Sequence, residues 1–284
     1  MKKIILLLIL PFLIQTSIAQ NMPAYKIYTA NGKKVSYKKM MKILAKQDIV
    51  LFGELHNNAI AHWLQYEVTA QLRTTRQLIL GAEMLEADNQ IEVNSYLNGD
   101  INYKGLDTLA RLWKNYKTDY APLVDFSKKY NLPFIATNIP RRYANLVYKN
   151  GFKALDSLSE KEKEWIAPLP IYFDSELATY KNILKIMGDH GTPELVMSQA
   201  SKDATMAYFI MKNYKDGSLF IHYNGAYHSD NYEGILFYLK RKRSNLQYAT
   251  ISTVSQGDIN SLEKENVGKA DFIICVDINM TNTY

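Results

Sequence analysis

Four short apolar runs of this sequence are each followed, within a few positions, by residues that commonly bind ligands or transfer protons. These residues are Gly53, Glu54, His56 and Asn57 after the first run, Glu83 after the second, Asn138, Arg141 and Arg142 after the third, and Gly225, Tyr227 and His228 after the fourth. A carboxylate beside an imidazole can act as general acid and base. Repetition of the pattern at four places predicts one shared site.

Two kinds of chemistry fit the acids and imidazoles of this set. Two imidazoles and two carboxylates suit a divalent transition metal such as zinc or manganese, and the candidate metal ligands are His56, Glu83 and His228. Without a metal, the candidates for direct acid–base catalysis are Glu54, His56, Glu83 and His228. The sequence leaves both alternatives open.

Each motif taken alone also has a simpler explanation. Glu54 or Glu83 can be an acid that complements a helix dipole. Arg141 and Arg142, near a predicted helix start, suit an anionic group such as a carboxylate or phosphate, although arginines of this kind are often plain surface charge. The repetition at four run ends favours a functional site over these explanations.

The spacing of apolar residues predicts the elements that position the motifs. The predicted strands are residues 25–29, 49–52, 78–80, 132–136, 219–223, 247–254 and 271–276. Helical patterns between them are long enough for crossovers, so we expect an α/β fold with a mainly parallel central sheet flanked by helices. Ligands of such sheets bind outside the carboxyl ends of the strands. Residues 151–213 show only helical patterns, which predicts a smaller helical lobe inserted in the α/β core.

The first 19 residues have the pattern of a secretory signal peptide. Two lysines precede an apolar run, and a small-residue site ends at Ala19, so we expect residues 20–284 to form a single mature domain. The run is too short to span a bilayer, and no cysteine near the cut could carry a lipid. These features predict an exported protein, either periplasmic or secreted.

Charge and cysteine content exclude some functional classes. Lysine and arginine total 34 against 28 acids, and without the two lysines of the signal peptide the balance is 32 − 28 = +4. So small an excess argues against a nucleic-acid partner. The densest basic run, residues 240–243, ends a predicted helix, where cations suit the carbonyl end. The single cysteine, Cys275, lies in an apolar run, which excludes an intramolecular disulfide and predicts a buried thiol.

Six motifs follow one another from about residue 25 to the C-terminal strands. They are Gly53-Glu54-Leu55-His56-Asn57, Glu83-Met84 with Gln90, Trp113 with Tyr116 and Tyr120, Asn138-Ile139-Pro140-Arg141-Arg142, Gln199 with Asp203-Ala204-Thr205-Met206-Ala207, and Gly225-Ala226-Tyr227-His228. In this order they resemble the ChaN-like family of haem-binding uptake proteins in the Tiki superfamily. The resemblance implies an α/β core with a smaller helical lobe, and an exported, often iron-regulated protein that binds haem for iron acquisition.

The resemblance also implies a cofactor and partners. Haem is the implied cofactor, with its iron held by a tyrosine. The chain has 21 tyrosines, and Tyr227 in the last motif is a candidate for this ligand. Arg141 and Arg142 could meet the haem propionates. Further possible partners are outer-membrane haem receptor components and a second copy of the chain.

The wider superfamily offers a different function. Tiki proteases and erythromycin esterases resemble the chain at both Gly-x-x-His segments and at the strand-end glutamate, and these relatives are hydrolases. The sequence therefore favours haem binding for uptake. The alternative is a metal-dependent or His/Glu-dependent hydrolase that uses the same pocket.

Overall fold

The apolar runs of the sequence fold as the strands of one seven-stranded sheet. A computed structural model describes residues 23–284, and the predicted signal peptide lies outside them. The strands are β1 Tyr25–Thr29, β2 Ile49–Glu54, β3 Leu78–Glu86, β4 Phe134–Asn138, β5 Leu219–Gly225, β6 Tyr248–Gln256 and β7 Phe272–Asp277. The α-helices are α1 Tyr37–Leu44, α2 Ala59–Arg73, α3 Gln90–Asn98, α4 Tyr103–Leu109, α5 Ala121–Tyr130, α6 Arg141–Asn150, α7 Glu160–Lys163, α8 Ala178–Met187, α9 Pro193–Asn213 and α10 Ile235–Lys242.

The strand order explains how distant segments meet. The order is β1-β7-β6-β2-β5-β3-β4, and all neighbours are parallel except β1 and β7. This confirms the predicted α/β class with a mainly parallel central sheet. After β2 the chain builds β3 and β4 and then returns to insert β5 between β2 and β3. Three strand ends that are far apart in sequence therefore lie side by side.

Side chains that alternate along the strands form separate cores on the two faces of the sheet. On one face Val50 and Phe52 pack in a cluster that includes Leu64 of α2. On the other face Leu51 packs in a cluster that includes Ile210 of α9 and residues of α10. Burial on both faces is the reason that the strands read as uninterrupted apolar runs.

The strands β2, β3 and β5, like every strand except β1, continue further than their apolar runs predict. β2 ends at Glu54, β3 at Glu86 and β5 at Gly225, and each is buried to its last residue. The predicted ends at residues 52, 80 and 223 are therefore too early. As a result Glu54 and Glu83 belong to strands: Glu54 pairs with Gly225, and the Glu83 carbonyl accepts a hydrogen bond from Asn138 where the register between β3 and β4 shifts.

The stretch between β4 and β5, all of it described, contains α6 to α9 and short 3-10 turns but no strand. Helix α7 begins with a capping box, in which Ser159 and Glu162 bond to each other's backbone. Helix α9 packs on two sides. Ala204 lies in a hydrophobic cluster with residues of α6, while Met206 and Ile210 pack against the sheet. The division into core and inserted lobe stays a prediction. Within residues 23–284 no helix is long and apolar enough to cross a membrane.

Candidate functional site

The carboxyl ends of β2, β5 and β3 form the base of the candidate site. Glu54 pairs in register with Gly225, and Glu83 follows Ala82, which pairs with Tyr223. Because β5 lies in the middle, the two glutamates reach the site from either side of Gly225. Parallel strands thus gather polar groups at one edge, as the strand-end rule predicts.

A crevice of about 660 Å³ opens at these strand ends, a volume within the range of small-molecule sites. The expected site residues that line it are Glu54, His56, Asn57, Gly225, Tyr227 and His228. Gln199, Lys269 and Tyr284 line it as well. The first and fourth motifs therefore share one opening, although about 170 residues of chain separate them.

The first motif forms a carboxylate–imidazole pair. Oε1 of Glu54 lies 2.9 Å from Nδ1 of His56, and Glu54 is buried while 37% of the His56 side chain is exposed. The Glu54 carboxylate also accepts hydrogen bonds from Gln65 at 2.5 Å and from the Tyr120 hydroxyl at 2.8 Å. Since Nδ1 faces this carboxylate, Nε2, which lies beside Gly225, is the nitrogen of His56 that is left for a ligand.

A second group is centred on His228, which is buried. Its Nε2 lies 3.2 Å from Oε1 of Glu83, and its Nδ1 lies 2.5 Å from Oδ1 of Asp203. Asp203 comes from α9 and accepts a further hydrogen bond from the Tyr180 hydroxyl at 3.0 Å. One imidazole is thus held between two buried carboxylates.

These contacts set the charges of the second group. Burial by itself lowers the pKa of His228, but the attraction of Glu83 and Asp203 outweighs it and raises the pKa to about 10. Burial pushes the pKa of Glu83 upward, and the attraction and hydrogen bond of His228 reverse this and hold that pKa far below its usual range. Burial raises the pKa of Asp203 despite the neighbouring imidazole. At neutral pH His228 is therefore an imidazolium beside an ionised Glu83.

Gly225 brings the two groups into contact. Its amide donates a hydrogen bond to Oε2 of Glu83 at 2.7 Å. A Cβ atom at position 225 would lie 2.7 Å from Nε2 of His56, which is closer than real Cβ contacts come. Glycine therefore allows the His56 imidazole to approach the β5 backbone and the Glu83 carboxylate.

The environment of His56 suits proton transfer. Burial lowers its pKa, but the hydrogen bond to Glu54 and the charge of Glu83 raise it more, so the net pKa lies above the ordinary value. The Trp113 ring packs edge-on against the imidazole at 5.0 Å between centroids. A fixed, partly exposed imidazole of this kind can serve as general acid or base.

Residues outside the predicted set of site residues hold the backbone of His56. Asn115 donates to the His56 carbonyl at 3.0 Å, and Nε2 of His62 lies 3.1 Å from the same oxygen. Asn115 also donates to Asp119 at 2.7 Å. Asp119 belongs to a π-helical turn, Tyr116–Tyr120, a distortion that is frequent at functional sites. The polar residues within the aromatic stretch around Trp113 are the only local signal of this role.

Three other predicted site residues have supporting positions. Gly53 lies beneath the site, where a Cβ atom would come within 2.9 Å of the Ile251 carbonyl oxygen. Asn57 lines the crevice directly after His56. Asn138 donates to the backbone carbonyl of Glu83 at 2.9 Å and so ties β4 to the strand that carries this carboxylate.

The two arginines of the third motif separate at the start of α6. Arg141 lines an adjoining cleft of about 530 Å³ together with Trp113 and Tyr284. Arg142 points elsewhere and pairs with Asp88 at 2.6 Å. Successive helical residues diverge by roughly 100°, so the two side chains cannot serve one ligand from the same direction. The structure does not bring Arg142 to the crevice.

Metal binding is the other chemistry that these residue types suit. Within the described residues, no group of three or more histidine, cysteine, aspartate or glutamate side chains could hold a metal ion. His228 illustrates the reason, because both of its ring nitrogens face carboxylates and neither lone pair is free. His56, Glu83 and His228 lie together, but their use as ligands of zinc or manganese stays a prediction.

A mainly parallel α/β sheet with a carboxylate–imidazole crevice at its carboxyl edge defines the class of this protein. Within that class, the chain belongs to the family described as haem-binding uptake, Tiki superfamily, ChaN, whose sequence profile matches residues 40–239. The match confirms the resemblance that the motif order indicates. No curated protein matches the chain in sequence.

Solved structures share the fold at low identity. One describes cofacial haem binding to ChaN of Campylobacter jejuni, with a TM-score of 0.66 and 18% identity over 88% of this chain and 96% of that one. A mutant of the erythromycin esterase EreC in its open conformation has a TM-score of 0.53 and 9% identity over 91% and 98% of the chains. A protein from Bacillus cereus has a TM-score of 0.53 and 13% identity over 89% and 95%. These likenesses show the fold alone.

Proposed function

We propose that this protein binds haem at the crevice and serves haem or iron uptake. The observation that carries the proposal is Tyr227, whose side chain is 52% exposed and lines the crevice. Its hydroxyl makes no hydrogen bond to another residue of the described chain, so the oxygen is free for a ligand. Tyrosine is among the residues that hold haem iron in proteins.

Further features support haem at this place. The family to which the chain belongs is named for haem binding. Tyr284, 65% exposed, also lines the crevice and adds aromatic surface for a porphyrin. Lys269 in the crevice and Arg141 in the adjoining cleft offer positive charge to propionates, whereas Arg142 is already paired. An exposed phenol with aromatic and cationic neighbours fits haem, and bound haem would supply the iron that the phenol holds.

The test is a titration of the mature protein with haemin, followed at the Soret band. Wild type should show a saturable shift, and Tyr227→Phe should weaken binding by at least roughly tenfold, or about 1.4 kcal/mol. Tyr148→Phe is the matched control, since Tyr148 is 45% exposed but lies on α6 outside the crevice. A wild-type protein without a saturable Soret shift would refute haem binding.

The proposal includes export and partners. Residues 1–19 have the pattern of a signal peptide, so we place the protein in the periplasm or outside the cell. Its proposed partners besides haem are outer-membrane haem receptor components and a second copy of the chain. Sedimentation with and without haemin tests the dimer: a doubled mass with haemin supports it, and a monomer at saturating haemin removes it.

A second candidate function, hydrolysis, is favoured by the geometry of His56. Glu54 holds Nδ1, Nε2 is left for a ligand, and the Glu83–His228 pair lies beside it. This arrangement repeats the logic of catalytic triads, in which a carboxylate fixes the tautomer of a histidine base. Haem binding through a phenol gives these buried groups no role.

The residues define a simple sequence of proton transfers. Neutral His56 accepts a proton at Nε2 from a water in the crevice while Glu54 keeps Nδ1 protonated. The water oxygen attacks the carbonyl carbon of an ester or amide, and the imidazolium then returns the proton to the leaving group. His228 takes no part in the proton transfer, because Glu83 and Asp203 hold both of its ring nitrogens, and it fixes the Glu83 carboxylate in place.

Hydrolysis is tested with p-nitrophenyl esters of graded chain length. His56→Ala combined with His228→Ala should remove enzyme-dependent turnover, whereas His190→Ala, in an exposed turn, should leave it unchanged. The rate should rise with pH through the elevated pKa of His56, because the base must be neutral. Unchanged turnover in the double variant would remove these histidines from the mechanism.

A further inference from the structure

A second cleft lies between α9, α10 and the segment 167–172, and none of its residues lines the strand-end crevice. Its volume is about 370 Å³, which is also within the range of small-molecule sites. Its walls are mainly apolar and aromatic, and they include Ile171, Ala204, Ala207, Tyr208, Met211 and Tyr238. Neither haem binding nor hydrolysis at the crevice uses this cavity.

The charges at this cleft have one sign. Lys212 near the end of α9 and Lys242 at the end of α10 both line it, and no carboxylate does. Neither lysine forms a salt bridge with any residue of the described range 23–284. Nζ of Lys212 lies 5.5 Å from the centre of the Tyr208 ring, so its aliphatic stem follows the aromatic wall while the ammonium stays at the surface.

The other cations of this surface do not line the cleft. In the basic run 240–243, Arg243 pairs with Asp216 at 3.2 Å, and Arg241 lies 3.5 Å above the Tyr172 ring at the edge of the cleft. Lys240 is exposed and does not line the cleft. Lys242 is therefore the cation of this run that remains available to a ligand in the cavity.

We propose that this cleft binds a fatty acid, with the acyl chain against the apolar walls and the carboxylate at Lys212 and Lys242. Charge complementarity decides the occupant. A carboxylate would gain attraction to two exposed lysines that an uncharged apolar molecule would not gain, and a cationic ligand would be repelled by them. The apolar walls in turn give a small hydrophilic anion little to contact, so a ligand needs both a long apolar body and one negative group.

The probe is sodium dodecanoate, titrated calorimetrically into the mature protein below its micelle concentration. Wild type should bind one dodecanoate, and Lys212→Glu with Lys242→Glu should weaken binding by roughly tenfold or more. Lys240→Glu makes the same charge change on the same helix outside the cleft and should change the affinity less than about twofold. Met211→Glu places a carboxylate in the half-exposed wall and should also abolish binding, with circular dichroism confirming the fold.

Three results would overturn the proposal. Dodecanol or dodecyltrimethylammonium binding as tightly as dodecanoate would show that the lysines do not select the ligand. If Lys240→Glu weakened binding as much as the double variant does, Lys212 and Lys242 would act only through the general surface charge and not as a specific binding site. Binding to anionic phospholipid vesicles without binding of free dodecanoate would assign the surface to a membrane. Dodecanoate affinity should be the same in Tyr227→Phe, which separates this site from the crevice.

Discussion

Replacement of Asp203 by asparagine tests the buried His228 group directly. Asparagine keeps the shape and an oxygen that accepts the hydrogen bond from Nδ1 of His228, but it removes one of the two negative charges around the imidazolium. The Tyr180 hydroxyl can exchange its donor role for an acceptor role toward the new amide. The substitution therefore changes charge while it largely preserves packing.

The size of the effect follows from the pKa of His228. Its rise from 6.5 to about 10 corresponds to roughly 5 kcal/mol, at about 1.36 kcal/mol per unit. Glu83 and Asp203 both contribute through charge and through a hydrogen bond, so we assign about half of this, roughly 2 kcal/mol, to Asp203. Burial raises the pKa of Asp203, which means that burying its charge costs free energy. The variant avoids this cost, and so part of the lost stability is regained. We expect the free energy of unfolding at pH 7 to fall by about 1–2 kcal/mol.

The dependence on pH has a defined sign. Because the folded-state pKa of His228 lies above its unfolded value, its contribution is complete below about pH 6.5 and is lost as pH rises through about 10. Wild type should lose this stability across that window. The Asp203→Asn variant has less to lose, so the difference between the two proteins should shrink with pH and vanish or reverse near pH 10.

Urea unfolding followed by circular dichroism at several pH values between 6 and 10 provides the measurement. Asp216→Asn is the control, because Asp216 is exposed and pairs only with Arg243 at the surface, and it should change stability by less than about 0.5 kcal/mol. If Asp203→Asn were as stable as wild type at pH 7, with the same pH profile, a buried imidazolium between two carboxylates would be the wrong description of His228.

Three further predictions concern the crevice and the core. Gly225→Ala should lower the free energy of unfolding by about 1–3 kcal/mol in thermal unfolding, since its Cβ would lie 2.7 Å from Nε2 of His56. The control Gly257→Ala, with open space around it, should leave stability unchanged. Equal effects of the two substitutions would contradict the close approach of His56 to Gly225. Glu54→Gln should lower the pKa of His56 in an NMR titration, because their hydrogen bond raises it; an unchanged pKa would show that the pair does not form. Burial raises the pKa of Cys275 to about 12, so a thiol reagent at pH 8 should react only after unfolding, and rapid labelling of the folded protein would contradict this burial.

Much of the fold follows from local patterns in the sequence. Residues 49–52 and 219–223 are apolar at every position but His222, which predicts strands covered on both faces, and those strands exist. His222 is accommodated in β5 because Thr137 and Asn224 bond its two nitrogens. The ends of these strands are less predictable, because Glu54 and Asn224 are polar and no local signal shows that other segments satisfy them when buried.

The motifs of the site are recognisable because polar residues directly follow apolar runs. Glu54, His56 and His228 are candidates on the sequence pattern alone for this reason, and the parallel sheet places them at one crevice. Asp203 carries no such signal as a partner of His228, since it lies on a helix 25 residues away along the chain. Whether such a helical acid faces solvent or a buried imidazole depends on the packing of α9.

Local patterns are enough to predict the α/β class, the strand ends that carry chemistry and the family, because each depends on periodicity or on a contiguous motif. The contacts between side chains depend on the three-dimensional fold. The fold set Glu83 and Asp203 on either side of His228, gave Glu54 the amide of Gln65, and turned Arg142 toward Asp88. These contacts join residues far apart in sequence, and their distances depend on how helices pack on the sheet.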